Sequence, residues 1–192
     1  MSPPPEERPP ANGETAGVYA GSFDPVTKAH LDIILQAARV LSRIIVVVGV
    51  NSDKNPWFTD EERVEMLNHE IEHVVKPQLA AEGRKCDITV EYNSGLTAAF
   101  MKANNAPVYV RGLRPGSDFD TEYPVAMANR AEYPALTPIF FLASDPALNY
   151  VSSSISRELA RHHGESLEHH VTPFVAEKLR ARAAEKYPDP KP

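Results

Sequence analysis

Five consecutive β-branched residues, Ile44-Ile45-Val46-Val47-Val48, leave this chain few folds to choose from. Such side chains are stiff at χ1 and suit a pleated, extended backbone. A strand with one wet face would alternate apolar and polar residues. This one does not, so both of its faces must be covered, as in a parallel sheet with helices on either side. The rest of the chain supplies those layers. Further short strands are expected at Val18 to Ala20, Ile88 to Tyr92, Val108 to Val110 and Ile139 to Leu142. Helical periodicity or capping marks Thr27 to Leu41, Thr59 to about Val75, Leu96 to Asn104, a stretch reaching about Arg130, Ser153 to His162, and Thr172 to Lys186. Thr59 with Glu62 three residues on reads as a capping box. Strands alternating with helices predict an α/β, doubly wound domain with a five-stranded parallel sheet, right-handed crossovers and closing C-terminal helices.

Length bounds the organisation. The 192 residues fit one domain with tails. Residues 1–15, with Pro3, Pro4, Pro5, Pro9 and Pro10, read as a disordered extension, residues 16–186 as the folded domain and residues 187–192 as a short tail. A net charge of −6 disfavours nucleic acid and anionic membranes as partners, while a phosphate site needs only local positive charge. With Cys86 alone there is no intramolecular disulfide and no cysteine-based zinc site, which suits a reducing cytoplasm. No apolar run approaches the roughly 18 residues of a membrane span, and no secretory h-region is seen. His162, His163, His169 and His170 lack a metal-ligand spacing and read as surface residues, so no metal is assigned to protein ligands.

Ligands of doubly wound sheets bind at the carboxyl ends of the strands. The polar clusters of this chain all fall there: Gly21 to His30, Asn51 to Pro56, Asn93 to Thr97, Arg111 to Arg114, and Asn149 to Ser154. Gly21-Ser22 lets backbone approach a ligand closely, Asp24-Pro25 bends the chain, and Thr27 is a good N-cap. The following helix start offers free N–H groups and a dipole to an anion, with His30 in its first turn. Arg111 and Arg114 suit oxyanions, the Lys54 ammonium could grip a phosphate, and Ser152 to Ser154 begin a helix. Each has an ordinary alternative: a surface histidine, solvated arginines, a loop lysine, a serine N-cap.

Gly21-Ser22-Phe23-Asp24-Pro25-Val26-Thr27-Lys28-Ala29-His30 resembles the nucleotidyltransferase signature G-x-F-D-P-x-[HT]-x-G-H. Four further stretches resemble the phosphopantetheine adenylyltransferase family: Ser52 to Arg63 around Lys54; Arg111-Gly112-Leu113-Arg114; Asp118-Phe119 to Arg130; and Val151-Ser152-Ser153-Ser154 to Arg157. The resemblance covers about Gly17 to Lys186. It implies a Rossmann-like domain that moves the adenylyl group of ATP onto 4′-phosphopantetheine, giving dephospho-CoA and pyrophosphate. It makes His30, Lys54, Thr27 and Arg114 catalytic. It puts Ser22, Phe23, His30, Gly112, Leu113, Arg114, Glu122, Leu148, Asn149, Tyr150, Val151, Ser152, Ser153 and Ser154 on ATP, and Ser22, Lys54, Thr97 and Arg111 on phosphopantetheine. Arg157 is placed near the triphosphate. It further implies Mg²⁺ arriving with ATP, coenzyme A as a feedback ligand, and a hexamer.

Three positions depart from the family pattern. Ala29 replaces a glycine under the triphosphate, Leu148 stands where an aromatic often stacks on adenine, and Pro124 falls where the family helix runs on. A helix starting near Tyr123 would make Pro124 an ordinary first-turn residue. The segment from Lys76 to Asp87 is longer than the family's. Two other readings stay open: a nicotinamide or nicotinate mononucleotide adenylyltransferase, which normally has His at the position of Thr27 and lacks the Arg111 to Arg114 pattern, and a catalytically weak nucleotide or coenzyme A binder.

Overall fold

A computed structural model of the chain describes residues 15–49, 55–116 and 118–188. The predicted N-terminal extension up to residue 14 and the last four residues lie outside the described residues. Five strands, β1 (Ala16–Gly21), β2 (Arg43–Gly49), β3 (Asp87–Asn93), β4 (Val108–Leu113) and β5 (Thr137–Leu142), form one sheet in the order β3-β2-β1-β4-β5. Every pairing is parallel. The chain winds outward from β1 to β3, then returns to β4 on the other side of β1. That reversal opens a crevice between the carboxyl ends of β1 and β4.

The β-branched run lies in central strand β2 and splits by parity, as its composition demands. Ile44, Val46 and Val48 join Tyr19 and Val110 on one face. There they pack under α1 (Lys28–Ala38), α2 (Asp60–Glu70) and α8 (Pro173–Lys186). Ile45 and Val47 join Ala16, Val18 and Tyr109 on the other, against Met101 of α4 (Thr97–Ala103) and Ala126 of α5 (Asp118–Glu132). Among the described residues no helix is long and apolar enough to cross a membrane.

Several boundaries differ from the sequence reading. Thr27 is the N-cap of α1, as expected, but the helix ends at Ala38 rather than Leu41, and Thr172 caps α8. Thr59 forms the expected capping box with Glu62. The helix after it does not stop near Val75. It passes through a π-helical turn, Ile71–Val75, and continues as α3 (Lys76–Ala81), so half of the predicted Lys76-to-Asp87 loop is helix. Pro77 explains the turn: it has no N–H and its ring crowds the preceding turn. The chain accommodates it with a bond from Lys76 N–H back to Ile71 O. Pro124 sits inside α5, not in its first turn. The carbonyl that it leaves without an intrahelical donor belongs to exposed Asp120, where water can serve. Strand β4 runs on through Arg111, Gly112 and Leu113, which pair with Phe140, Phe141 and Leu142. These residues are therefore strand, not the loop after it. Two further helices, α6 (Ser153–Arg161) and the four-residue α7 (Leu167–His170), lead into α8. Tyr187 is no loose tail residue: its ring lies 5.8 Å from Trp57 and 4.5 Å under the Arg161 guanidinium.

Candidate active site

The turn after β1 is built around buried groups. Phe23 adopts a left-handed backbone (φ 46°) and buries its ring beside Tyr19 and His30, at 5.3 and 5.0 Å. A Cβ at Gly21 would lie 3.0 Å from that ring, closer than ordinary contact, so a larger residue there would press on buried Phe23. The Asp24 carboxylate is buried and accepts the N–H groups of Trp57 and Phe58 at 3.0–3.1 Å, with Arg157 Nη1 at 3.3 Å. Arg157 also donates to the Asp24 carbonyl. Buried Arg63 of α2 donates to Ser22 O at 2.7 Å. One carboxylate and two guanidiniums thus lock the loops after β1 and β2 and the start of α6 into one frame. Sequence reasoning gave Asp24 only a bend in the chain and Arg63 only a place at the end of a motif, and gave neither a role in the site. The available signal was their place inside motifs quoted for other residues, Asp24 in Gly21 to His30 and Arg63 at the end of Ser52 to Arg63.

At the head of α1, Thr27 N–H donates to His30 Nδ1 at 3.0 Å, and the Thr27 hydroxyl caps His30 N–H. Histidine here takes the place of the Glu or Gln of a usual capping box. Because Nδ1 accepts, the neutral ring carries its proton on Nε2. Burial, reinforced by the nearby charges of Arg111 and Arg114, lowers the His30 pKa to about 4. The ring is therefore an uncharged donor at neutral pH.

Arg111 projects from β4 and is fully committed on one side. Nε donates to Glu122 Oε2 at 2.6 Å, Nη2 to Glu122 Oε1, and Nη1 to Ala20 O at 2.5 Å. Burial works against its charge, but the Glu122 carboxylate outweighs this and raises its pKa. Arg114 is half exposed and is held by Asp118, at 2.8 Å from Nε. The same contact holds the Asp118 carboxyl below its usual range. Gly112 lines the first lobe, but its missing side chain serves packing. A Cβ there would come within 2.8 Å of Ile33 Cγ1, so its task is to let α1 lie close on β4. At α6, the Ser152 hydroxyl caps Ile155 N–H at 3.2 Å and the Ser153 hydroxyl donates to Pro25 O at 2.8 Å. That turn offers an anion its first backbone N–H groups more than its hydroxyls.

These elements enclose two adjoining lobes. The first, about 360 Å³, is lined by Tyr19, Ser22, Ala29, His30, Ile33, Gly112, Leu113, Arg114, Glu122, Leu148 and Val151 to Ser154. The second, about 900 Å³, is lined by Asn55, Pro56, Arg63, Asn93, Thr97, Tyr109, Val125 and Arg157 among others. Ser22, Arg111, Ser153 and Ser154 line both. Most of the predicted ATP residues are thus gathered in the first lobe, and Thr97 stands in the second. Thr27 and Phe23 are buried beneath the site rather than lining it. Asn149 and Tyr150 sit in a 3-10 turn, Pro146–Tyr150, and line neither lobe; Tyr150 is exposed. Lys54 lies outside the described residues.

A parallel doubly wound sheet with a basic, two-lobed cleft at its switch point defines the class. A family model described as cytidylyltransferase-like matches residues 18–159. The fold is shared with a Plasmodium falciparum nicotinic acid mononucleotide adenylyltransferase complexed with NaAD (TM-score 0.53, 16% identity, 91% of this chain and 96% of that one). It is also shared with a Vibrio parahaemolyticus protein described as a nicotinate-nucleotide adenylyltransferase (TM-score 0.60, 11% identity, 91% and 96%). At those identities the likeness is one of fold. Sequence relatives are more specific. The phosphopantetheine adenylyltransferase of Heliobacterium modesticaldum is 37% identical over 91% of this chain and 94% of its own. That of a Synechococcus species is 40% identical over 86% and 96%. The chain belongs to the phosphopantetheine adenylyltransferase family.

Proposed function

We propose that the chain transfers the adenylyl group of ATP to 4′-phosphopantetheine, giving dephospho-CoA and pyrophosphate. The observation that carries this reading, in a chain of this family, is the junction: two lobes that meet at Ser22 and Arg111, beside His30. A transfer between two bound substrates needs such a meeting point. ATP takes the first lobe, adenine against Leu148 and Val151, its outer phosphates at the N–H groups of Ser153 and Ser154. Phosphopantetheine takes the second, its phosphate at the remaining N–H groups of Arg111, with Lys54 as a further cation.

An oxygen of the acceptor phosphate attacks the α-phosphorus. The bond to the α,β-bridging oxygen breaks, and pyrophosphate leaves with that electron pair. His30 Nε2–H donates to a non-bridging α-oxygen as charge gathers there. Arg114 swings from Asp118 to the departing pyrophosphate. Mg²⁺ would come with ATP, held by phosphates and water. Its chemistry is to neutralise phosphate charge. The family resemblance also supports a hexamer in the cytoplasm and coenzyme A as feedback ligand.

A pyrophosphate-release assay tests the assignment. Turnover is expected with ATP and phosphopantetheine, with dephospho-CoA formed in equal amount. Turnover with nicotinamide mononucleotide and none with phosphopantetheine would overturn it.

A further inference from the structure

Tyr19 has no part in the chemistry above, yet its hydroxyl is unaccounted for. It stands on β1, two residues before Gly21, its ring edge-on to Phe23 at 5.3 Å and 6.4 Å from His30. The residue is only 6% exposed, and it lines the first lobe. A buried phenol normally finds a partner for its O–H. This one has none among the described residues, nor is it sealed away: the described side-chain polar atoms that are sealed without a partner are Glu70 Oε2 and His170 Nδ1. The hydroxyl therefore opens on the lobe. Phenylalanine would supply the same ring packing, so packing alone does not explain a tyrosine. Burial, ahead of the opposing charge of Arg111, pushes its pKa up to about 12. The group keeps its proton at neutral pH and acts as a donor.

We propose that the Tyr19 hydroxyl donates a hydrogen bond to an oxygen of the nucleotide in the first lobe, making Tyr19 a determinant of nucleotide affinity. This rests on the assignment of that lobe to ATP. The acceptor is a phosphate or a ribose oxygen.

Tyr19→Phe removes only the hydroxyl. Calorimetric titration of the full chain with ATP and, separately, with adenosine reads its effect, alongside a melting curve and the phosphopantetheine KM. The expected result is an ATP Kd raised about tenfold, the size of one hydrogen bond to a charged acceptor, with melting temperature and phosphopantetheine KM unchanged. A weakening seen with ATP alone puts the oxygen on the triphosphate; one seen with both ligands puts it on the ribose. An unchanged ATP Kd in the variant, with the wild-type protein binding ATP, overturns the proposal alone. So does a lowered melting temperature, which would give the hydroxyl a partner within the protein. Wild-type protein that binds no ATP overturns the lobe assignment and this proposal together.

Discussion

His30 uses its two nitrogens for different tasks. Nδ1 fastens the helix start by accepting Thr27 N–H at 3.0 Å, which leaves Nε2–H for a ligand. Replacing it by alanine removes both. We expect His30→Ala to lower kcat by about 100- to 1000-fold, the worth of one donor to developing charge, with little change in either KM. A stopped assay at saturating substrates checks this. The folded pKa of about 4 lies below the ordinary imidazole value of 6.5. Between those values the unfolded chain takes up a proton that the folded one refuses. The stability that His30 contributes is therefore present above pH 6.5 and is lost as the pH falls toward 4. Melting curves over that window should show the loss in wild type and a smaller one in His30→Gln, whose side chain keeps a capping box. Glu122 grips Arg111 from within α5 and lines the first lobe, so Glu122→Gln should raise the phosphopantetheine KM about tenfold, through a loosened charge-assisted pair, and raise the ATP KM with it. Steady-state kinetics with each substrate varied would show it. Asp24 was harder to read from sequence: its part comes from backbone N–H groups of Trp57 and Phe58, which only the fold brings near.

Elements were legible where local composition decided them. The run Ile44 to Val48 specified a buried central strand, and Thr59 with Glu62 specified a helix start. The end of β4 was not legible, because Arg111 and Gly112 are held in strand by bonds to β5 rather than by their own preference. The resemblance puts Gly112 on ATP, and it does line the first lobe, but the helix above it also demands a small residue there. Gly112→Ala should destabilise the fold by about 1–3 kcal/mol through overpacking, and Ile33→Ala in the same chain should recover part of that loss, both measured by denaturant unfolding. Helix α8 reaches the acceptor lobe indirectly. Arg182 donates to Trp57 O, pairs with Glu62 at 2.5 Å and covers Phe58 at 5.0 Å, next to Asn55 and Pro56 of the second lobe. Arg182→Ala is expected to raise the phosphopantetheine KM several-fold, about the effect of one lost charged hydrogen bond, with kcat and the ATP KM little altered. Equal changes in both KM values would mean a general loosening instead.

At the scale of the molecule, the reversal of strand order makes two lobes out of one sheet. Residues 16–93 carry the signature turn and the β2 and β3 ends; residues 108–161 return with Arg111, Glu122 and the α6 start. The alternation of strands and helices was enough to predict that the polar loops share one edge. It could not show that they form two compartments, because that depends on how Asp24, Arg63 and Arg157 bind the loops together. Two compartments meeting at one point imply that both substrates are present at once and that the acceptor attacks ATP directly. The stereochemical course at phosphorus tests this, using ATP made chiral at the α-phosphorus by a single sulfur and phosphopantetheine as acceptor. One in-line displacement predicts inversion in the dephospho-CoA product; retention would mean two displacements through a covalent adenylyl-enzyme, and would contradict direct transfer across the Ser22–Arg111 junction.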